Sequence, residues 1–438
     1  MLNLSLGLGL GSYATLNKGG GAVLNAFSPV KDTLAADAAD VDVVVIGDST
    51  GATTTRFVYL WFAWLASEYP AYTFVYHPPD GAGGYGAPIT VSTGSGAHVF
   101  RLYNNSVSGQ QTWYFMGSLF NGAFVAPGRE WDLVLWNHGK NMTLLGLQPL
   151  VEGEFLGAIA QMQLAFPQAQ HVLIDQFPNQ DGSNALAHAS IVDIASNAPG
   201  ISVIDFWNST YESSDYADTL HLTDEAGERL LLPVMQDFWS RTKPGEWQAE
   251  SPWLDVAAAN KLNGNSGEQY ANFALDGNGT NPGANSGLPA GWTQSGGTIT
   301  YTKETSNSYD GAPRAQKMVG SGAAQPRISR ALTAAQRGSI LGKSVVLTSI
   351  QYVEVGAPVT VGRISLGFNG TGGATINSKA DEDSRGGWRV QCIGPVTIPA
   401  DATTVQATQF ADSAASPTGT HGVIIQWATL VEGKLPRA

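Results

Sequence analysis

Ser49, Asp218 and His221 are the residues whose types could together carry out covalent chemistry. A serine hydroxyl is a weak nucleophile until a base takes its proton, and histidine is the usual base near neutral pH. Asp218 stands three residues before His221, so one loop can turn both side chains inward. Its carboxylate would then hold the imidazole in the needed tautomer and stabilise the imidazolium. Acyl transfer through a tetrahedral intermediate also needs donors already aimed at the oxyanion. The backbone N–H of Ser49, the N–H of Gly109 and the side-chain amide of Asn141 are the candidates. Gly109 suits the task because a residue without Cβ lets its N–H come close to a substrate.

Each residue has a plainer reading. Ser49 could simply cap the helix that follows it. Asp215 and Asp224 rival Asp218, and Asn137 rivals Asn141, either as a turn residue or as a side chain pointing into the site. Gly81, Gly83, Gly84 and Gly86 rival Gly109. His138 reads as a second base, a satisfied neighbour or a wall of the pocket. Trp113 and Tyr114, just past Gly109, read equally as substrate contacts and as packing residues. Asp48 reads as structural, its carboxylate bonding turn amides. We find no Cys/His metal spacing, no phosphate-binding glycine loop and no dinucleotide fingerprint, and we expect neither a metal nor a cofactor.

These residues must be positioned by the elements around them. Val41–Ile46 is a short, continuously apolar run that stops on Gly47-Asp48-Ser49. Thr53–Ser67 follows as a helix, then a strand at Tyr72–Tyr76. A Gly- and Pro-rich excursion comes next, with Ile89–Ser92 as one arm of a hairpin. Strands at Trp131–Trp136, His171–Ile174 and Ile201–Phe206 alternate with helices at Leu150–Ala165, Asn184–Ser196 and Thr223–Arg241. Such alternation predicts a parallel sheet covered on both faces, with chemistry at the carboxyl ends of its strands.

The ordered set GDS, a glycine in an N-x-S-x-x-G turn (Asn104 to Gly109), G-x-N (Gly139 to Asn141) and D-x-x-H (Asp218 to His221) resembles the SGNH hydrolase superfamily, the GDSL esterases and lipases. The resemblance covers roughly residues 41–243, with an insertion at about 77–102. It implies an α/β domain of three layers with a flavodoxin-like parallel sheet. It also implies Ser49 as nucleophile, Gly109 and Asn141 in the oxyanion hole, and an Asp218–His221 pair completing the triad. Two positions depart from the pattern. Met142 stands where the family commonly has an aspartate, and the segment between Tyr76 and Tyr103 is unusually long.

After Lys243-Pro244-Gly245 the texture changes. Residues 244–266 read as a linker, with one helical turn around Trp253–Lys261. From residue 267 to 438 short β-type runs alternate with Gly, Asn, Pro and Ser, predicting an all-β antiparallel sandwich. Examples of these runs are Gly297–Lys303, Ser344–Val355, Thr360–Phe368, Trp388–Ile393, Thr404–Phe410 and Gly422–Val431. Asn272–Gly277, Leu288–Trp292 and Val423–Gly433 resemble jelly-roll carbohydrate-binding modules, and also the packing or trimerisation sandwiches of phage tail proteins. Residues 1–40 read as an extension that is partly strand, with Leu2, Leu4, Leu6, Leu8 and Leu10 alternating with polar or small residues. We expect no secretory signal there, because no basic residue precedes Lys18.

Bulk properties narrow the function classes. At 438 residues the chain exceeds one ordinary core. Its 43% apolar content suits globular folding, and 13% charged residues with 52 glycines lean toward loop- and β-rich surfaces. A formal charge of −13 without a basic run argues against phosphate-backbone binding, and no segment is long and apolar enough to span a bilayer. Cys392 is the lone cysteine, so no intrachain disulfide framework exists. The expectation is a serine esterase that removes acetyl or other short acyl groups from a polysaccharide. A short-chain carboxylesterase or lipase is one alternative. A non-catalytic glycan-binding or phage tail structural protein is the other. Expected partners are the acylated polysaccharide, a glycan ligand of the C-terminal domain and further copies of the chain as a homo-oligomer, but neither nucleic acid nor membrane. The expected location is extracellular or virion-associated.

Overall fold

The structure is a computed structural model. It describes residues 26–142, 146–197, 201–242, 271–272, 288, 291–304, 315–322, 324–358, 360–378, 386–415 and 417–432. Expectations for Leu2–Leu10, the Trp253–Lys261 turn and the Phe273–Gly277 motif lie outside those residues.

Among the described residues the first body is a seven-stranded sheet ordered β3-β2-β4-β1-β5-β6-β7. Its strands are β1 (Val41–Gly47), β2 (Thr73–His77), β3 (Ile89–Ser92), β4 (Val99–Ser106), β5 (Leu133–Asn137), β6 (Gln170–Asp175) and β7 (Ile201–Asp205). All neighbouring pairs are parallel except β2 with β3. Every residue of β1 is buried, as a strand covered on both faces requires. Val41, Val43 and Val45 face one core, and Val44 and Ile46 the other.

Helices α1 (Ser28–Ala36) and α2 (Phe57–Glu68) cover the first face, and α3 (Gln148–Ala165) and α4 (Ala185–Asn197) cover the second. Helix α5 (Asp224–Arg241) joins α1 and α2 through Leu231, Met235, Phe238 and Trp239. The N-terminal extension ends in α1, whose Val30 and Leu34, with Phe27 before them, are buried in that core. Residues 26–40 therefore belong to the α/β body.

Two other boundaries differ from expectation. Helix α2 begins at Phe57, not Thr53. The β-branched run Thr53-Thr54-Thr55 is left in the turn between Ser49 and the helix, and Arg56 takes an extended conformation anchored to the Leu222 carbonyl at 2.8 Å. The excursion at 77–102 also gives up its last residues to β4, which slots between β1 and β2. Its hairpin arm β3 returns antiparallel on β2, and the chain then re-enters the sheet beside β1. The direction of strand addition reverses at β1, making its carboxyl end the switch point where crevices form in such sheets.

The second body is an antiparallel sandwich. One sheet runs β10 (Thr298–Glu304), β11 (Ala315–Ser321), β18 (Thr418–Glu432), β13 (Ser344–Val353) and β16 (Gly387–Thr397), with β8 (Ala271–Asn272) pairing to β18. The other runs β15 (Ala374–Asn377), β14 (Ile364–Phe368), β17 (Val405–Phe410), β12 (Arg327–Ala331) and β9 (Thr293–Ser295). Val345, Leu347, Val353, Ile364, Leu366 and Ala407 fill the core between them. Strands β8, β9, β11, β12 and β15 lie outside the runs given as examples above.

Helix α3 joins the two bodies. One side packs on the parallel sheet, while Val346, Ile350, Val390 and Cys392 of the sandwich complete the same core cluster. The Gln161 side chain donates to the Trp388 carbonyl at 3.0 Å and accepts from the Val390 N–H at 3.3 Å.

Candidate active site

The turn after β1 is gripped between the ends of β4 and β5. A Cβ on Gly47 would lie 2.7 Å from Ser106 Oγ and 3.1 Å from the Asn137 carbonyl oxygen, so any larger residue would press on both neighbouring strands. Asp48 is fully buried, and its Oδ1 accepts from the Thr50 amide at 3.0 Å and the Thr50 hydroxyl at 2.8 Å. This closes the short turn Ser49–Gly51 and leaves Ser49 at its start.

Ser49 Oγ lies 2.6 Å from His221 Nε2. On the other side of the ring, His221 Nδ1 lies 2.9 Å from Asp218 Oδ2 and 3.1 Å from Oδ1. The Leu220 and His221 amides also donate to Asp218 Oδ1, at 2.7 and 2.8 Å. The carboxylate thus organises its own loop as well as the imidazole. Burial is the largest single influence on the Asp218 carboxyl and pushes its pKa up, but the hydrogen bonds from the His221 ring and these two amides together outweigh it and bring the pKa down to about 2. The loop is closed at its base by the Ala217 N–H to His221 carbonyl bond of 2.8 Å.

The rival acids are engaged elsewhere. Asp215 is buried against Arg229 and accepts from the Glu212 amide, and Asp224 pairs with Arg56 at 3.4 Å in the first turn of α5.

Gly109 follows β4 in a turn with φ +77°, a conformation that favours glycine. Asn141 sits across from it. Its Nδ2 donates to the Gln110 carbonyl at 3.1 Å, and its own carbonyl accepts from Gln111 Nε2 at 2.7 Å. The two turns are therefore tied to each other, and the Asn141 amide retains a second N–H. Gln111 Oε1 in turn accepts from the half-buried Trp113 indole at 2.9 Å.

Three proposed substrate contacts are corrected. Asn137 is fully buried, donates to Thr50 Oγ1 at 3.0 Å and accepts from Gln176 at 2.9 Å, so it holds the turn. His138 is fully buried, and burial lowers its pKa to about 4, which removes it as a base facing solvent. Tyr114 is buried in the core cluster shared with α3. Trp113 alone of the four keeps partial exposure.

Two residues escaped the sequence reading. Gln176, just past β6, contacts both the Ser49 turn and the β5 loop. Lys140 is buried, its Nζ 2.7 Å from the Phe177 carbonyl and 3.4 Å from the centroid of the Phe177 ring. The available signal was position: a polar residue directly after a buried strand, in a sheet whose other strand ends carry the motifs. Beside His221 a small, mainly apolar pocket is lined by Thr50, Arg56, Phe57, Phe177, Leu222 and Leu231.

No family model matches the chain, and no curated protein matches it. Several solved structures resemble it. A two-domain esterase (CEX) active on acetylated mannans aligns over 96% of this chain and 97% of its own, at 12% identity and a TM-score of 0.37. The same esterase with mannopentaose aligns over 94% and 96%, at 9% identity and a TM-score of 0.37. A member of the lipolytic G-D-S-L family from Veillonella parvula covers 46% of this chain and 99% of its own, at 14% identity and a TM-score of 0.33. The family 22 carbohydrate-binding module of Clostridium thermocellum Xyn10B covers 33% and 86%, at 16% identity and a TM-score of 0.24.

Proposed function

We propose that this protein is a serine esterase that removes acetyl or other short acyl groups from a polysaccharide through an acyl-enzyme. The observation that carries the reading is the unbroken chain Ser49 Oγ to His221 Nε2 at 2.6 Å and His221 Nδ1 to Asp218 at 2.9 Å. As His221 takes the hydroxyl proton, Ser49 Oγ attacks the acyl carbonyl carbon. Asp218 holds the Nδ1–H and stabilises the imidazolium. The N–H groups of Ser49 and Gly109 and the free N–H of Asn141 receive the oxyanion. Collapse expels the sugar alkoxide, which takes the proton from His221. Water, deprotonated by the same imidazole, then releases the acid and restores Ser49.

The sugar part is supported by the partly exposed Trp113 next to the Gly109 turn, a flat ring suited to a pyranose face. The net charge of −13 is compatible with a neutral polymer.

The test is hydrolysis of p-nitrophenyl acetate and butyrate by the parent and by Ser49→Ala, followed by acetate release from acetylated mannan and acetylated xylan. Serine-dependent turnover that prefers acetate and extends to a polymer supports the reading. Turnover on the nitrophenyl esters alone reduces it to a carboxylesterase. Turnover that survives Ser49→Ala overturns it.

A further inference from the structure

We propose that Gln176 is a positioning residue that sets the distance between the Ser49 nucleophile and the Asn141 oxyanion donor, an inference that rests on the esterase reading. Gln176 follows the last residue of β6, and only 2% of its surface is exposed. Its Oε1 accepts from the backbone N–H of Lys140 at 2.9 Å. That bond fixes the amide orientation, because an N–H can be received only by the oxygen end.

The nitrogen end then faces a ring of oxygens. It lies 2.9 Å from Thr50 Oγ1, 2.9 Å from Asn137 Oδ1, 3.0 Å from the Asn137 carbonyl and 3.2 Å from each Asp48 oxygen. Two N–H groups are shared among these acceptors as bifurcated bonds. Thr50 is the residue after Ser49, and Lys140 is the residue before Asn141. One buried side chain thus holds the immediate neighbour of the nucleophile and the immediate neighbour of the oxyanion amide.

Only an uncharged group that both donates and accepts can serve the two ends, since the Lys140 N–H needs an acceptor and the Asp48 carboxylate needs a donor. The backbone behind it leaves no slack. A Cβ on Gly139 would stand 2.9 Å from Gln176 Oε1, so the β5 loop lies directly on the amide. A displacement of about 1 Å at such a spacing can cost roughly 10²-fold in rate.

The test uses two variants beside the parent. Gln176→Glu keeps the shape, but its carboxyl can donate only while protonated. Titratable groups around the position are Asp48 on the nucleophile turn and Lys140 and His138 on the β5 loop, with Asp218 and Asp181 acting on Lys140 in turn. Asp48 is the one in hydrogen-bond contact, and like charge plus burial keep the introduced carboxyl protonated well above its ordinary range. The kcat of Gln176→Glu relative to the parent should be within about threefold at acidic pH and fall about tenfold or more as the carboxyl ionises, with KM unchanged.

Gln176→Asn is one methylene too short to span both ends. It should lower kcat about 10²-fold, and its loss should not multiply with that of Asn141→Ala, because both act on one geometry. A kcat ratio for Gln176→Glu that is flat with pH, or losses in the double variant that multiply, overturns the proposal. A parent whose turnover does not depend on Ser49 sinks the esterase reading instead, so the two failures are distinguishable.

Discussion

Gly157 and Val390 meet backbone to backbone: a Cβ on Gly157 would stand 2.4 Å from the Val390 carbonyl oxygen. One turn earlier, Gly153 stands in the same relation to the Cys392 carbonyl, at 2.3 Å. Two glycines on one face of α3 therefore let β16 lie against the helix with no side chain between. The helix that packs on the parallel sheet is also the floor on which the sandwich rests.

This contact predicts how the protein unfolds. Gly157→Val should drive the strand off the helix and destabilise the chain by about 1–3 kcal/mol or more. Calorimetry should show one transition for the parent, and an earlier or split transition for the variant. An unchanged profile would mean that the two bodies do not support each other.

The Asp218 carboxylate is held near pKa 2, so it stays ionised across any ordinary assay range. Activity lost on acidification to about pH 4 should therefore not trace to Asp218. Asp218→Asn should lower kcat by ~10³–10⁴-fold through the wrong imidazole tautomer, with KM little changed. A loss below tenfold would show that Asp218 does not orient His221 during turnover.

Asn141→Ala removes a proposed oxyanion donor and also the 3.1 Å tie to the Gln110 carbonyl. The expected loss is ~10²–10³-fold in kcat with KM little changed. Steady-state rates on p-nitrophenyl acetate decide it. A rise in KM with kcat intact would place Asn141 in ground-state binding instead.

Burial lowers the Lys140 ammonium to a pKa of about 7 from an ordinary 10.5, against the pull of Asp48, Asp218 and Asp181. Between those two values the unfolded chain binds a proton that the folded chain does not. Stability from this group accordingly rises with pH through that window, and the full cost is present below about pH 7. Lys140→Met should therefore gain most in stability relative to the parent near pH 6, with the gain shrinking steadily toward pH 10. Urea unfolding of both proteins across that range measures the difference. A constant difference would show that Lys140 does not titrate there.

Much of the site was legible from local patterns. A run such as Val43-Val44-Val45-Ile46 forms a buried strand from its own composition, and the polar residues after it must emerge at the carboxyl edge. The same holds for Asn141 after β5 and for the Asp218–His221 loop before α5, where three-residue spacing suffices to bring carboxylate and imidazole together. Local pattern could not tell which nearby polar residues point outward. Asn137 and His138 stand beside Asn141 in sequence, yet both are fully buried, because β5 is flanked by β1 and β6 and its end is roofed by Gln176.

By itself the sequence determined which residues stand at the strand ends, the parallel sheet that carries them and the antiparallel texture of the second body, since each depends on residues within a few positions of one another. The tertiary structure decided the insertion of β4 between β1 and β2, the burial of Tyr114, the docking of β16 on α3 and the place of Gln176. Gln176 and Asp48 are 128 residues apart, and Gln161 and Trp388 are 227 apart. Contacts at such separations form only when the whole chain has packed, because neither partner's neighbours in sequence carry any trace of the other.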